Sequence, residues 1–145
     1  MPRGLSVLAS VLLIAAAGSA RADALESDAQ LLKFTEGLMA KVAAGDLDGA
    51  FQAMKPHLVI PPAEYDALVM NTKAQRGLAG TRYGRVVGSE CLSQKKLGES
   101  LLRVTCIEKT EKHALPWLFF FYKSPRGWVL NSFVWNDNLP SLFTQ

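Results

Sequence analysis

Residues 27–80 of this chain are rich in Ala, Leu, Met, Lys and Gln, and residues 82–136 are rich in Val, Thr, Phe, Tyr and Trp. The first set favours helix and the second favours strand. Helix formers first and strand formers after point away from an alternating βαβ chain and predict an α+β fold. With 145 residues, 49% of them hydrophobic, there is material for one domain.

The first 22 residues stand apart. Arg3 precedes an apolar run from Leu5 to Ala17, and Gly18-Ser19-Ala20-Arg21-Ala22 follows. A positive start, a short apolar run and a small-residue Ala-x-Ala site mark a secretory signal peptide. The run is shorter than the ~20 residues that cross a bilayer. This predicts a signal peptide over 1–22, a single α+β domain over 23–145 and a periplasmic or secreted location, with no membrane attachment after cleavage. Arg3 and Arg21 are two of 16 basic residues, so the remaining 14 face 13 acidic ones. That balance gives no reason to expect nucleic acid as a partner.

Ser27 with Gln30 three residues on is a capping-box pattern, and predicts a first helix from about Asp28 to Ala44. Leu31, Leu38 and Val42, with Phe34 or Thr35 between, form its apolar stripe. Asp46 caps a short second helix that Pro56 stops. Pro61-Pro62 opens a third, with Tyr65, Leu68, Val69, Thr72 and Arg76 on one face and Gly77 at its end. Arg76 thus shares the stripe that faces the sheet, where a guanidinium needs a partner.

Four strands follow, near 82–92, 100–109, 114–123 and 128–136, joined by turns into an antiparallel meander. The expected architecture is N-terminal helices packed on a curved four-stranded antiparallel sheet, cone-like in shape. With Ser124 opposite Gly127, Trp117, Phe119, Phe121, Trp128, Leu130, Ser132 and Val134 share one face. Leu118, Phe120, Tyr122, Val129, Asn131, Phe133 and Trp135 share the other. Both faces are then apolar, and helices cover only one. This predicts a homodimer through Phe120, Tyr122, Phe133 and Trp135, with Leu139–Phe143 as the competing cover.

A two-residue turn at Gly98-Glu99 would set Leu97 opposite Ser100 and Cys91 opposite Cys106. Opposed β-carbons are close enough to be bridged, and export supplies an oxidising compartment. A structural disulfide is expected, two reduced thiols being the alternative. His57 and His113 are the only imidazoles, and neither has the spacing of a metal site. No metal and no cofactor are expected. Lys95, Lys96 and Arg103 read as residues that solvate a turn and a strand edge, with a binding patch as the alternative.

Arg76-x-x-x-Gly80, followed by Arg82 or Arg85 at the start of the sheet, and Gly127-Trp128-Val129-Leu130 opening the last strand complete the pattern. From about Ser27 to Asn136 the chain resembles the nuclear transport factor 2-like superfamily, and small exported members with no assigned function in particular. The resemblance implies a cone with a pocket between the first helices and the sheet, although one helix–strand portion of the full cone is lacking here. Tyr65, Arg76, Trp117 and Trp128 are the candidate pocket residues.

Enzymes of that superfamily, such as ketosteroid isomerases, dehydratases and polyketide cyclases, rely on an Asp or His base lining the cone. The inner face of the last two strands offers neither, so no catalytic residue is assigned. The leading reading is a non-catalytic exported domain that binds a small apolar or amphipathic ligand, or a partner protein. One alternative is a small isomerase, dehydratase or hydrolase that uses Arg76 and Tyr65 to stabilise an anion. The other is a purely structural interaction subunit with a filled core.

Overall fold

The computed structural model describes residues 22–144. The signal peptide expected over 1–22 therefore lies outside the described residues, apart from Ala22. Three helices, α1 (Asp28–Ala43), α2 (Leu47–Met54) and α3 (Pro62–Tyr83), precede four strands. These are β1 (Val86–Leu97), β2 (Leu101–Thr110), β3 (Ala114–Ser124) and β4 (Gly127–Trp135). Short 3-10 turns occupy Lys55–His57 and Leu139–Phe143. The strands pair antiparallel in the order β1-β2-β3-β4, an open meander, and the fold is α+β.

Local chemistry sets the helix starts. The Ser27 hydroxyl accepts the Gln30 N–H at 3.2 Å, while the Gln30 side chain accepts the Glu26 N–H at 2.9 Å. Asp46 accepts the Gly49 N–H at 2.9 Å and caps α2. In α1 the buried stripe is Leu31, Thr35, Leu38, Met39 and Val42, so Thr35 and not Phe34 completes it. The Thr35 hydroxyl is satisfied inside the core by donating to the Leu31 carbonyl at 2.9 Å.

Helix α3 does not stop at Gly77. It runs through Gly77 and Gly80 to Tyr83, and the chain turns at Gly84, whose φ is +86°. A helical glycine costs only ~1 kcal/mol and does not by itself end a helix; contacts beyond Gly77 and Gly80 hold the last turn. There the Tyr83 hydroxyl donates to Asp137 at 2.7 Å and the Tyr83 ring stacks on His113 at 4.4 Å. As a result β1 begins at Val86 and not near Arg82.

Two offsetting irregularities put the cysteines opposite each other. The β1–β2 turn holds three residues, Gly98 to Ser100, and sets Leu97 opposite Leu101. One extra residue at Leu92 then shifts the register back, so that Cys91 faces Cys106. Their Cα atoms are 3.9 Å apart and the two form a disulfide.

A second bulge overturns the expected faces of β4. Phe121 pairs with Leu130, but Phe120 pairs with Ser132, leaving Asn131 as the extra residue. Side chains alternate with a period of two, so one inserted residue moves every later side chain to the opposite face. Phe133 and Trp135 therefore join Trp117 and Phe119 on the helix-facing side. Ser132 and Val134, expected inside, are exposed. The apolar set Phe120, Tyr122, Phe133 and Trp135 is thus not one face.

The core lies between α1, α2 and the inner face of the sheet. Leu31, Leu38, Val42, Phe51 and Met54 pack with Val104, Cys106, Trp117, Phe119, Phe121, Leu130 and Phe133. The edge of β4 is covered by two passing segments, Leu25 bridging to Trp128 and Leu58 to Leu130. Gly127, at φ +128°, permits the first: a β-carbon there would lie 2.6 Å from the Leu25 carbonyl oxygen.

Two outcomes test this arrangement. Replacing both cysteines by Ala lowers unfolding stability by about 3 kcal/mol in urea titrations, the loop-entropy value for a 15-residue separation. Phe133→Ala costs about 3–5 kcal/mol and Val134→Ala under about 0.5. A register without the bulge gives the reverse order.

Candidate functional site

Of the residues proposed to line a pocket, Tyr65, Trp117 and Trp128 are buried and Arg76 is half-buried, but they do not surround one void. Trp117 is fully buried, and Trp128 and Tyr65 are 2% and 3% exposed. Tyr65 is at the start of α3, where its hydroxyl donates to the Phe51 carbonyl, and burial pushes its phenol above the ordinary tyrosine value. The Trp128 ring N–H donates to Asp28 at 3.0 Å, in the first turn of α1. Lys96 also binds that carboxylate, at 2.6 Å, and holds it below the usual aspartate range.

Arg76 and Trp117 are brought together, through a residue that sequence reasoning passed over. Glu108 is a buried carboxylate of β2 and the ion-pair partner of Arg76. One Glu108 oxygen accepts from the Arg76 guanidinium and the other from the Trp117 indole N–H at 3.1 Å. The guanidinium also lies 5.5 Å from the centre of the Trp135 ring. Burial raises the Glu108 carboxyl above the ordinary glutamate value, and the Arg76 charge with the two donated hydrogen bonds pulls it part of the way back. The signal for Glu108 was in the alternation of β2, where Leu102, Val104, Cys106 and Glu108 share the inward parity.

The titratable groups at the end of α3 hold the C-terminal segment. Asp137 accepts from Tyr83, and its backbone carbonyl lies 2.9 Å from His113 Nε2. His57 Nδ1 lies 2.7 Å from the Asp23 carbonyl oxygen, beside the Phe34 ring. Among the described residues no three His, Cys, Asp or Glu side chains gather as a metal site requires.

The outer face of the sheet has a different character. Leu97, Leu101, Tyr122 and Val134 are exposed, and Phe120 is half-buried. The Leu139–Phe143 turn packs on β3, yet Tyr122 and Leu101 stay 44% and 46% exposed. A cavity of about 250 Å³ is lined there by Lys95, Leu97, Leu101, Arg103 and Phe120. It shares Leu101 and Phe120 with a second cavity of about 410 Å³ that reaches Tyr122 and Ser132. Of the four residues expected at a dimer interface, Phe120 and Tyr122 are on this face, and the bulge takes Phe133 and Trp135 to the other.

No family model matches this chain, and neither a curated protein nor a solved structure matches it significantly.

Arg76→Met should cost about 3–5 kcal/mol, because it strands a buried carboxylate. Joint replacement of Arg76 by Met and Glu108 by Leu should recover most of that loss in the same denaturation assay. A raised pKa in the folded state means that folded protein binds more protons than unfolded protein. Glu108 thus adds most stability below its unfolded pKa, and that contribution falls as pH rises through the raised folded value. Subtracting the stability–pH curve of Glu108→Gln from that of the parent should show this decline, and a rise would contradict the assigned direction.

Proposed function

We propose that this chain is an exported, non-catalytic binding domain whose working surface is the outer face of its sheet. The observation that carries this reading is the contrast between the two faces. On the helix side the rings are packed, and the Arg76 guanidinium already has its carboxylate in Glu108. Tyr65 and Arg76, the pair considered for stabilising a bound anion, both donate to protein acceptors. The outer face keeps exposed Leu and Tyr side chains around a groove. Exposed contiguous apolar surface of that kind marks an interaction site. The occupant on this reading is a small apolar or amphipathic molecule, with a second copy of the chain as the rival.

Export is part of the proposal. It rests on the sequence of residues 1–22 and is supported by the Cys91–Cys106 disulfide, since such bonds persist in oxidising compartments. Kinship with the nuclear transport factor 2-like superfamily belongs to it too, resting on element order and on Arg76, Gly80 and Gly127–Leu130.

Binding of a neutral, environment-sensitive dye such as Nile red tests the working surface. Saturable binding should be lost in Leu101→Asp, with the thermal midpoint little changed because Leu101 is already half-exposed. Dye binding that survives this substitution would move the site elsewhere. Expression in a bacterial host should give a periplasmic product cleaved after Ala20 or Ala22, with intact mass reporting both the cleavage and the disulfide.

A further inference from the structure

The outer groove carries two cations that have no carboxylate partner among the described residues. Arg103 stands directly opposite Lys95 on β1 and directly opposite Phe120 on β3. Like charges directly opposed across a ladder destabilise it. Elsewhere on the sheet Lys96 pairs with Asp28 and Lys109 with Glu90, while Lys123 lies 5.8 Å from the centre of the Trp128 ring. Among the described residues the ion pairs include neither Arg103 nor Lys95. Arg103 Nε is buried with no hydrogen-bond acceptor, as Arg76 Nε is too, but the Arg76 guanidinium has the Glu108 carboxylate and that of Arg103 has none among the described ion pairs. A guanidinium does not escape this by losing a proton, and a buried donor without an acceptor is unfavourable.

The apolar half of the groove adjoins these cations. Arg103, Phe120 and Ser132 form one cross-strand row, and Leu97, Leu101 and Tyr122 form the next. Four strands at ~4.8 Å spacing make a track of roughly 14 Å, the extended length of about eleven methylenes.

We propose that this groove holds a monomeric single-chain amphiphile with an anionic headgroup. The head is bound by Arg103 and Lys95, and the tail lies over Phe120, Leu101 and Tyr122. This rests on the outer face being the binding face and adds the chemistry of the ligand. A carboxylate or sulfate head meets the unpaired charge at the terminal nitrogens of the guanidinium, in the short charge-assisted geometry that guanidinium favours. A second copy of the chain fits less well, because two such grooves face to face bring four cations together with no carboxylate among the lining residues. A bilayer surface fits less well too, since the cations sit at one end of a recess and not on a broad basic plane.

Titration calorimetry with dodecanoate, dodecanol and dodecyltrimethylammonium, each below its micelle concentration, tests the assignment. Dodecanoate should bind at least tenfold more tightly than dodecanol, and the cationic amphiphile should not bind measurably. Added salt should weaken dodecanoate alone. Arg103→Met should remove the tenfold preference and leave dodecanol affinity unchanged. Lys95→Met should lower the preference without touching the fold, and serves if Arg103→Met fails to fold.

Equal affinity for dodecanoate and dodecanol, both lost in Leu101→Asp, overturns the headgroup assignment and leaves the outer face as a neutral binding surface. Absence of binding by all three overturns both. Attachment to anionic vesicles without affinity for free dodecanoate overturns the monomeric ligand. A dimer in sedimentation that Tyr122→Asp disperses, with no amphiphile bound, gives the groove to a second copy.

Discussion

The extra residue at Asn131 decides what the inner face of this sheet is made of. Up to Leu130, β4 is in register with β3 from the turn at Ser124–Gly127. Beyond it, every side chain is reversed. Phe133 and Trp135 thereby reach Trp117, and the three rings stack at 6.2 Å centroid spacing. Phe133 also meets Phe51 of α2 at 5.9 Å, so the same reversal joins the far end of the sheet to the helices. Trp135 in turn supplies the ring beside the Arg76 guanidinium.

Helix α3 depends on that inner surface more than on its own apolar residues. Of its 22 residues only Tyr65 and Thr72 are fully buried. What ties it down is polar and spaced along its length. Tyr65 bonds to α2, Lys73 pairs with Asp48, Arg76 with Glu108, and Tyr83 with Asp137. The exposed pairs contribute little, since surface ion pairs are worth ~0–1 kcal/mol. The Arg76–Glu108 pair is the exception, being desolvated and satisfied on both carboxylate oxygens. Its worth lies less in net stability than in register: a buried charge with one matching partner allows a single placement of the helix.

Much of this was legible in the chain, and two of the failures come from contacts between residues distant in sequence. The order of elements, the caps Ser27 and Asp46, and the inward phase of Arg76 follow from composition, spacing and chemistry within four residues. The Cys91–Cys106 pairing was also reached, although by a two-residue turn where three residues turn and a bulge at Leu92 compensates. The expected outer set of Phe120, Tyr122, Phe133 and Trp135 failed because a bulge leaves no mark in composition. Asn131, midway along β4, is an ordinary strand residue until its pairing is known. The end of α3 was misread at Gly77 for a related reason. A local breaker was weighed without the distant residues, Asp137 and His113, that hold the helix beyond it. Glu108 was not assigned as the partner of Arg76, although its alternation with Cys106 and Val104 gives it the inward parity.

The two arginines of the sheet region make the functional argument in miniature. Arg76 enters the fold from a helix and meets the Glu108 carboxylate and the Trp135 ring, its Nε alone being buried without an acceptor. Arg103 lies on the other face of β2, the same strand that provides Glu108, and the residue across the ladder is Lys95. A carboxylate at that position would neutralise Arg103 as simply as Glu90 neutralises Lys109. A fold in which local choices otherwise agree with the whole has here placed like charges side by side, next to uncovered Leu and Tyr side chains. Local rules are broken in this way at sites used for something other than stability. On the proposal made for this face, the partner that answers both features is an acid with an apolar body.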